Sequence, residues 1–169
     1  MTQELVSDLS VLLPSVLLTV MLAFFVLTDT YIGKGHRGVL LIVCTLIFGL
    51  IVQNYSDMLL QGRYVNIPLR MAVSIIGYIM RPMILVLFCH GLNPRGRFRP
   101  AWALTAVNGI IYLTASFSYL TFWFNEANHY QAGPLRYTCH VISALLLFNL
   151  LFLSIRRFRT TGAPQRSYR

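Results

Sequence analysis

Arg81 is the residue whose type and place demand an explanation first. It stands inside an apolar run that extends from Leu69 to His90 and is followed at once by Pro82. A charge in the middle of a bilayer costs at least about 2.5 kcal/mol and is seldom left against lipid, so the side chain is expected to face other protein groups. Measured from the cytoplasmic ends of their segments, Asn108 and Asn149 fall at a similar depth, which predicts one polar layer shared by Arg81, Asn108 and Asn149. Such a layer serves either as an anion or carboxylate site, as a coupling element between helices, or as internal satisfaction of Arg81. Pro82 removes a backbone donor at this level and favours a hinge.

A second polar set lies nearer the other end of the same segments. It comprises Gln53, Asn54, Asp57, Ser74, Tyr78, Ser116, Tyr119, Tyr137 and His140, with Glu126 opening a loop that could close over them. These residues would line a pocket for a small ligand, although interfacial Tyr and Ser also occur in any helical bundle. Gly133-Pro134 supplies a turn for the loop. His129 and His140 have the chemistry of a pH sensor but no partner legible in sequence.

The remaining candidates for chemistry fail on spacing. There is no pair of carboxylates on one helix face, no His-x-x-x-His or Cys-x-x-Cys and no Ser-His-Asp set, so no catalytic role is expected and no metal or cofactor is implied. Cys89-His90 and Cys139-His140 resemble ligand pairs, but alternating segments put them on opposite faces of a membrane. Three cysteines, Cys44, Cys89 and Cys139, imply no disulfide framework. The glycines of Asp29 to Gly38 lack the spacing of a phosphate loop and read as a turn.

The elements that must position these residues are membrane helices. Of 169 residues, 56% are hydrophobic and 11% charged, a balance that a soluble domain of this size could not cover with polar surface. Five apolar segments follow one another at about 12–28, 39–55, 69–90, 101–123 and 135–155, near the twenty residues that a hydrocarbon core of about 30 Å requires. The expected fold is therefore all-α: a polytopic bundle of five transmembrane helices over residues 1–157, with a juxtamembrane tail over 158–169. The first segment has no basic residue ahead of it and reads as a retained helix, not a cleaved leader.

The formal charge of +9 comes from thirteen Arg and one Lys against five acidic residues. Its placement points to lipid headgroups as partners and away from nucleic acid, for which no binding module is present. Lys34, Arg37, Arg95, Arg97, Arg99, Arg156, Arg157, Arg159, Arg166 and Arg169 fall on one side, and only Arg63, Arg70 and Arg136 on the other. The positive-inside rule then gives an N-terminus outside, a C-terminus in the cytoplasm and a multi-pass protein of the bacterial cytoplasmic membrane.

Two stretches exceed what a generic membrane protein needs: Ile75-Ile-Gly-Tyr-Ile-Met-Arg-Pro-Met-Ile-Leu85, and Phe122 to Tyr137, which ends Tyr-Gln-Ala-Gly-Pro-Leu-Arg-Tyr. Together, over about Asp57 to Arg157, they resemble the multi-helix membrane input region of GGDEF-type diguanylate cyclases and related Firmicute signalling proteins. The resemblance implies a sensory module that binds a small ligand and relays a helix movement to a cytoplasmic output in c-di-GMP-type signalling. It also implies a homodimer, because such cyclases bring two output domains together. The output domain is missing: there is no Gly-Gly-Asp-Glu-Phe sequence, and the tail from Arg156 looks like a linker cut short. The competing reading is a solute transport or substrate-capture subunit, which would also use an interior polar layer and a broken helix. Internal repetition would favour it, and none is visible between the halves.

Overall fold

The computed structural model describes residues 2–30, 32–62, 66–93, 96 and 98–161. These form five α-helices, one 3-10 turn and one two-stranded hairpin. The helices are α1 (Thr2–Thr28), α2 (Lys34–Gly62), α3 (Ile67–Leu92), α4 (Arg99–Leu113) and α5 (Thr138–Thr161). The all-α expectation holds, and three stretches are long and apolar enough to cross a membrane: Gly35–Gln61, Ile67–Leu92 and Thr138–Arg156. The apolar stretch Leu12–Thr28 within α1 is shorter.

Helix α3 is the hub. It packs against α2, α4 and α5, and also against the 3-10 turn and the hairpin, whereas α1 packs on α2. Consistently, α1 is apolar nearly all round and leaves Leu18 and Phe24 two-thirds exposed, the surface expected of a helix solvated by lipid. Helix α3 begins cleanly because the Asn66 side chain accepts from the Leu69 amide at 3.1 Å and Pro68 occupies the first turn, where a missing N–H costs nothing.

Several boundaries differ from the sequence expectation: α1 begins at Thr2 and not near 12, and α2 ends at Gly62 and not near 55. The segment Asp29 to Gly38 is a turn only as far as Gly33, because α2 starts at Lys34. The Arg37 amide reaches the Gly33 carbonyl at 3.0 Å, and its Nη2 donates to the Asp29 carbonyl at 2.7 Å, which ties the turn to the helix that follows.

The larger difference is in the fourth segment, expected as helix from 101 to 123. Helix α4 stops at Leu113, passes into the 3-10 turn Thr114–Ser116 and is followed by strands β1 (Phe122–Phe124) and β2 (Tyr130–Ala132). The strands pair antiparallel, Phe122 with Ala132 and Phe124 with Tyr130. At this end the Thr114 hydroxyl donates to the Ile111 carbonyl at 2.6 Å and the Ser118 hydroxyl to the Thr114 carbonyl at 2.8 Å, a back-bonding that also occurs at Thr45, Ser56 and Thr105 inside unbroken helices. A helix of 15 residues is about 22 Å long, short of a hydrocarbon core of about 30 Å.

Arg63, Arg95, Arg97, Arg166 and Arg169 of the charge count, and the end of the tail from 162, lie outside the described residues.

Candidate functional site

The polar and aromatic side chains gather where the hairpin meets α3. Phe122 and Phe124 point inward from β1, and Thr121 ahead of them is fully buried. Phe122 stacks with Tyr130 across the hairpin (ring centroids 5.7 Å) and tilts against Tyr78 of α3 at 5.4 Å, and Tyr78 stacks on Tyr112 of α4 at 4.4 Å. Phe124 sits edge-on to Phe122 at 5.8 Å. Each neighbouring pair has the offset or edge-to-face geometry that favours aromatic contact. The Tyr112 hydroxyl donates to the Arg136 carbonyl at 2.8 Å and so holds the start of α5 to α4.

Arg70 closes the outer end of this stack. It is 4% exposed and uses every edge of its guanidinium. Nε donates to Asp57 Oδ1 at 2.9 Å, Nη1 to the Asn128 carbonyl at 2.6 Å and to Asn128 Oδ1 at 3.0 Å, and Nη2 to Gln61 Oε1 at 3.2 Å. The face of the group lies 4.3 Å from the Phe124 ring centroid. Asn128 returns the connection by donating Nδ2 to the Leu60 carbonyl at 2.9 Å. Its φ of +59° is one that Asn tolerates better than most side chains. A single buried arginine thus joins α2, α3 and the hairpin tip.

The inner end of the stack lies at Pro82. A proline inside a helix has no N–H for the carbonyl four residues earlier, here that of Tyr78. That carbonyl accepts instead from Asn108 Nδ2 of α4 at 3.0 Å and from Cys139 Sγ of α5 at 3.4 Å. The helix break is therefore the point where α3, α4 and α5 bond to one another. Arg81 lies beside it with its guanidinium 4.9 Å from the Tyr78 ring centroid.

The candidate residues separate into three groups. Asp57, Tyr78 and Asn108 belong to the assembly, with Ser74 donating to Asp57 Oδ1 at 3.3 Å. Asn54, Tyr119, Glu126, Tyr137 and His140 are exposed, so the second polar set does not converge on one pocket. The expected layer of Arg81, Asn108 and Asn149 does not form. No hydrogen bond joins Arg81 to either amide among the described residues: Asn108 turns its Nδ2 to the Tyr78 carbonyl freed by Pro82, and its Oδ1 has no partner. Asn149 lies exposed on α5, lining a groove of about 330 Å³ with Asn93, Phe98 and Leu104. Arg70 was visible in the sequence only as one of the sparse outer charges. Its partner Asn128 is 58 residues away, and no local spacing announces the pair.

Three buried acceptors, Gln53 Oε1, Asn108 Oδ1 and Thr121 Oγ1, have no hydrogen-bond partner. Gln53 packs so closely on Gly77 that a Cβ there would collide with its amide. Among the described residues no cluster of His, Cys, Asp or Glu has the form of a metal site. Comparison with protein families, curated proteins and solved structures finds no match to this chain.

Proposed function

We propose that the chain is a membrane-embedded sensory input module. Its five segments cross the bacterial cytoplasmic membrane with the N-terminus outside and the C-terminus inside, and a small ligand acts on the outer half to move α5 at the cytoplasmic face. One observation carries the reading: the hairpin, the aromatic stack and the break at Pro82 are continuous through named contacts, and the break bonds directly to Cys139 at the head of α5. Helix α5 then runs without interruption from Thr138 to Thr161, beyond its apolar part and into the basic tail. A displacement of the hairpin has a packed path to the cytoplasmic end, which a passive anchor does not need. The resemblance to cyclase input regions supplies the class of output, c-di-GMP-type signalling, and the dimer it requires.

The non-helical backbone of the fourth segment is compatible with this placement. Irregular structure at membrane depth is tolerated only where protein covers it; Phe122, Phe124 and Gly133 are buried, but Phe117, Tyr119 and Leu120 are exposed, so this stretch belongs at the outer interface and not in the hydrocarbon core.

The test joins the full chain through Arg169 to a reporter output domain. Phe122→Ala, which interrupts the stack, is expected to change basal output about fivefold or more at unchanged membrane level, the range of ordinary coupling energies. Unchanged output would sink the relay. Solute uptake that depends on the chain, with output unaffected, would support the transport reading in its place. Orientation is tested separately: a reporter active only in the cytoplasm should work after Arg169 and fail when inserted at Ala127, and the reverse pattern would overturn the topology.

A further inference from the structure

We infer that Arg81 is the seat for the anionic group, carboxylate or phosphate, of an amphiphile that enters from the lipid. The first ground is what surrounds the charge. Arg81 is fourteen residues from Ile67 and eleven from Leu92, about 21 Å and 16 Å from the two ends of α3. At that depth the bilayer offers no hydrogen-bond acceptor. Among the described residues the guanidinium makes no hydrogen bond or ion pair, and it lies against the Tyr78 ring. The single ion pair among the described residues, Arg70 with Asp57, uses a different arginine.

The second ground is accessibility. Arg81 is partly exposed, and none of its nitrogens is among the buried polar atoms lacking a partner, so its N–H groups remain within reach of a ligand. Tyr78 covers one face of the planar group. The fork of N–H donors that matches two oxygens of a carboxylate or phosphate is uncommitted.

The third ground is the outward surface of the helices as a whole. Ile76 on α3, Val107 and Ile110 on α4, and Val141 and Leu145 on α5 are exposed and apolar, the surface a helix solvated by lipid presents. An anion approaching through such a surface has to carry an apolar body, which describes a fatty acid or an anionic phospholipid better than a free ion. This inference rests on the input-module reading only for what the binding achieves; binding itself is measured independently of any output.

The experiment uses the full chain in phosphatidylcholine nanodiscs and a photoreactive long-chain fatty acid as probe. Labelling is expected on α3 and α5 peptides, to fall about tenfold or more in Arg81→Gln, as loss of a charge-assisted contact requires, and to be partly retained in Arg81→Lys. Phosphatidylglycerol in the nanodisc should compete, whereas inorganic phosphate should not. Competition by inorganic phosphate at equal concentration would overturn the lipid origin. Labelling undiminished in Arg81→Gln would overturn the site. Because Arg81 has no hydrogen-bonded or ion-paired partner to lose among the described residues, only its contact with the Tyr78 ring, the variant is expected to melt about level with wild type in neutral lipid, and the fatty acid should raise the melting temperature of wild type alone. A reporter that still answers to Phe122→Ala while Arg81→Gln labels normally would leave the relay standing and remove this site.

Discussion

Arg70 and Arg81 sit eleven residues apart on one helix, three turns along and on the same side of it, yet their surroundings are opposite. Arg70, near the outer end, spends all its donors on Asp57, Asn128 and Gln61 and lays its face on Phe124. Arg81, mid-helix, has an aromatic face and no acceptor. The desolvation of Arg70 is offset by charge-assisted bonds from three parts of the chain, which makes it a structural joint. That of Arg81 is offset by little, although it stands in the middle of a helix long and apolar enough to cross a membrane, where a charge would cost most. Residue type therefore does not separate scaffold from site; partner supply does.

The largest expected effect tests that contrast directly. Arg70→Leu strips the hairpin tip from α2 and α3 and leaves the Asp57 carboxylate without its cation. A loss of about 3 kcal/mol is expected, at the lower edge of the range for broken buried pairs because Asp57 keeps some exposure. Arg81→Leu removes a cost and breaks no hydrogen bond, so stability should stay level or rise by up to about 2.5 kcal/mol. Equilibrium unfolding of both variants in mixed micelles measures the difference. Equal losses would break the comparison.

A smaller effect examines whether the outer region is as rigid as its bonding implies. The Gly133 amide donates to the Thr121 carbonyl at 2.8 Å and closes the base of the hairpin. A Cβ at that position would strike the backbone carbonyls of Leu120 and Tyr119. Gly133→Ala is expected to cost about 2 kcal/mol, within the range of overpacked sites, and to raise proteolysis within 117–137 with the helices intact. Normal stability and protection would mean that the hairpin adjusts freely and is no fixed cap.

The contrast between the two arginines also marks where sequence reasoning reached its limit. Apolar length is a property of consecutive residues, so α2, α3 and α5 were legible, although the entry of α3 at Asn66-Ile-Pro lies ahead of the expected start at Leu69. The end of α4 was not legible. Leu113 to Phe124 reads as apolar enough to continue a membrane helix, and the hydrogen bonds that fold it back are made across the hairpin, between residues distant in sequence such as Gly133 and Thr121. The aromatic run Phe122 to Phe124 and the Asn-Glu-Ala-Asn turn were the available signs of a hairpin. The Arg70 joint depends on a residue brought from 58 positions away. The shared polar layer was misjudged for a related reason: depth along a helix says nothing of azimuth, and Asn149 faces away from the centre while Asn108 is drawn to a carbonyl that Pro82 had released.

The smallest expected effect lies at that carbonyl. In Pro82→Ala a backbone N–H returns to the Tyr78 oxygen, which now accepts from Asn108 and Cys139. If the proline is what makes the Asn108 bond necessary, Asn108→Leu should cost about 1 kcal/mol in the wild-type background and measurably less beside Pro82→Ala, since interhelical hydrogen bonds in membranes average about 0.6 kcal/mol. The double-mutant cycle isolates the term, provided that neither single change repacks α4. A coupling near that size would place the α3–α4–α5 junction at the released carbonyl. Strict additivity would mean that Asn108 holds α4 through packing alone, and the middle of the bundle would then lack the polar junction through which the hairpin is proposed to act on α5.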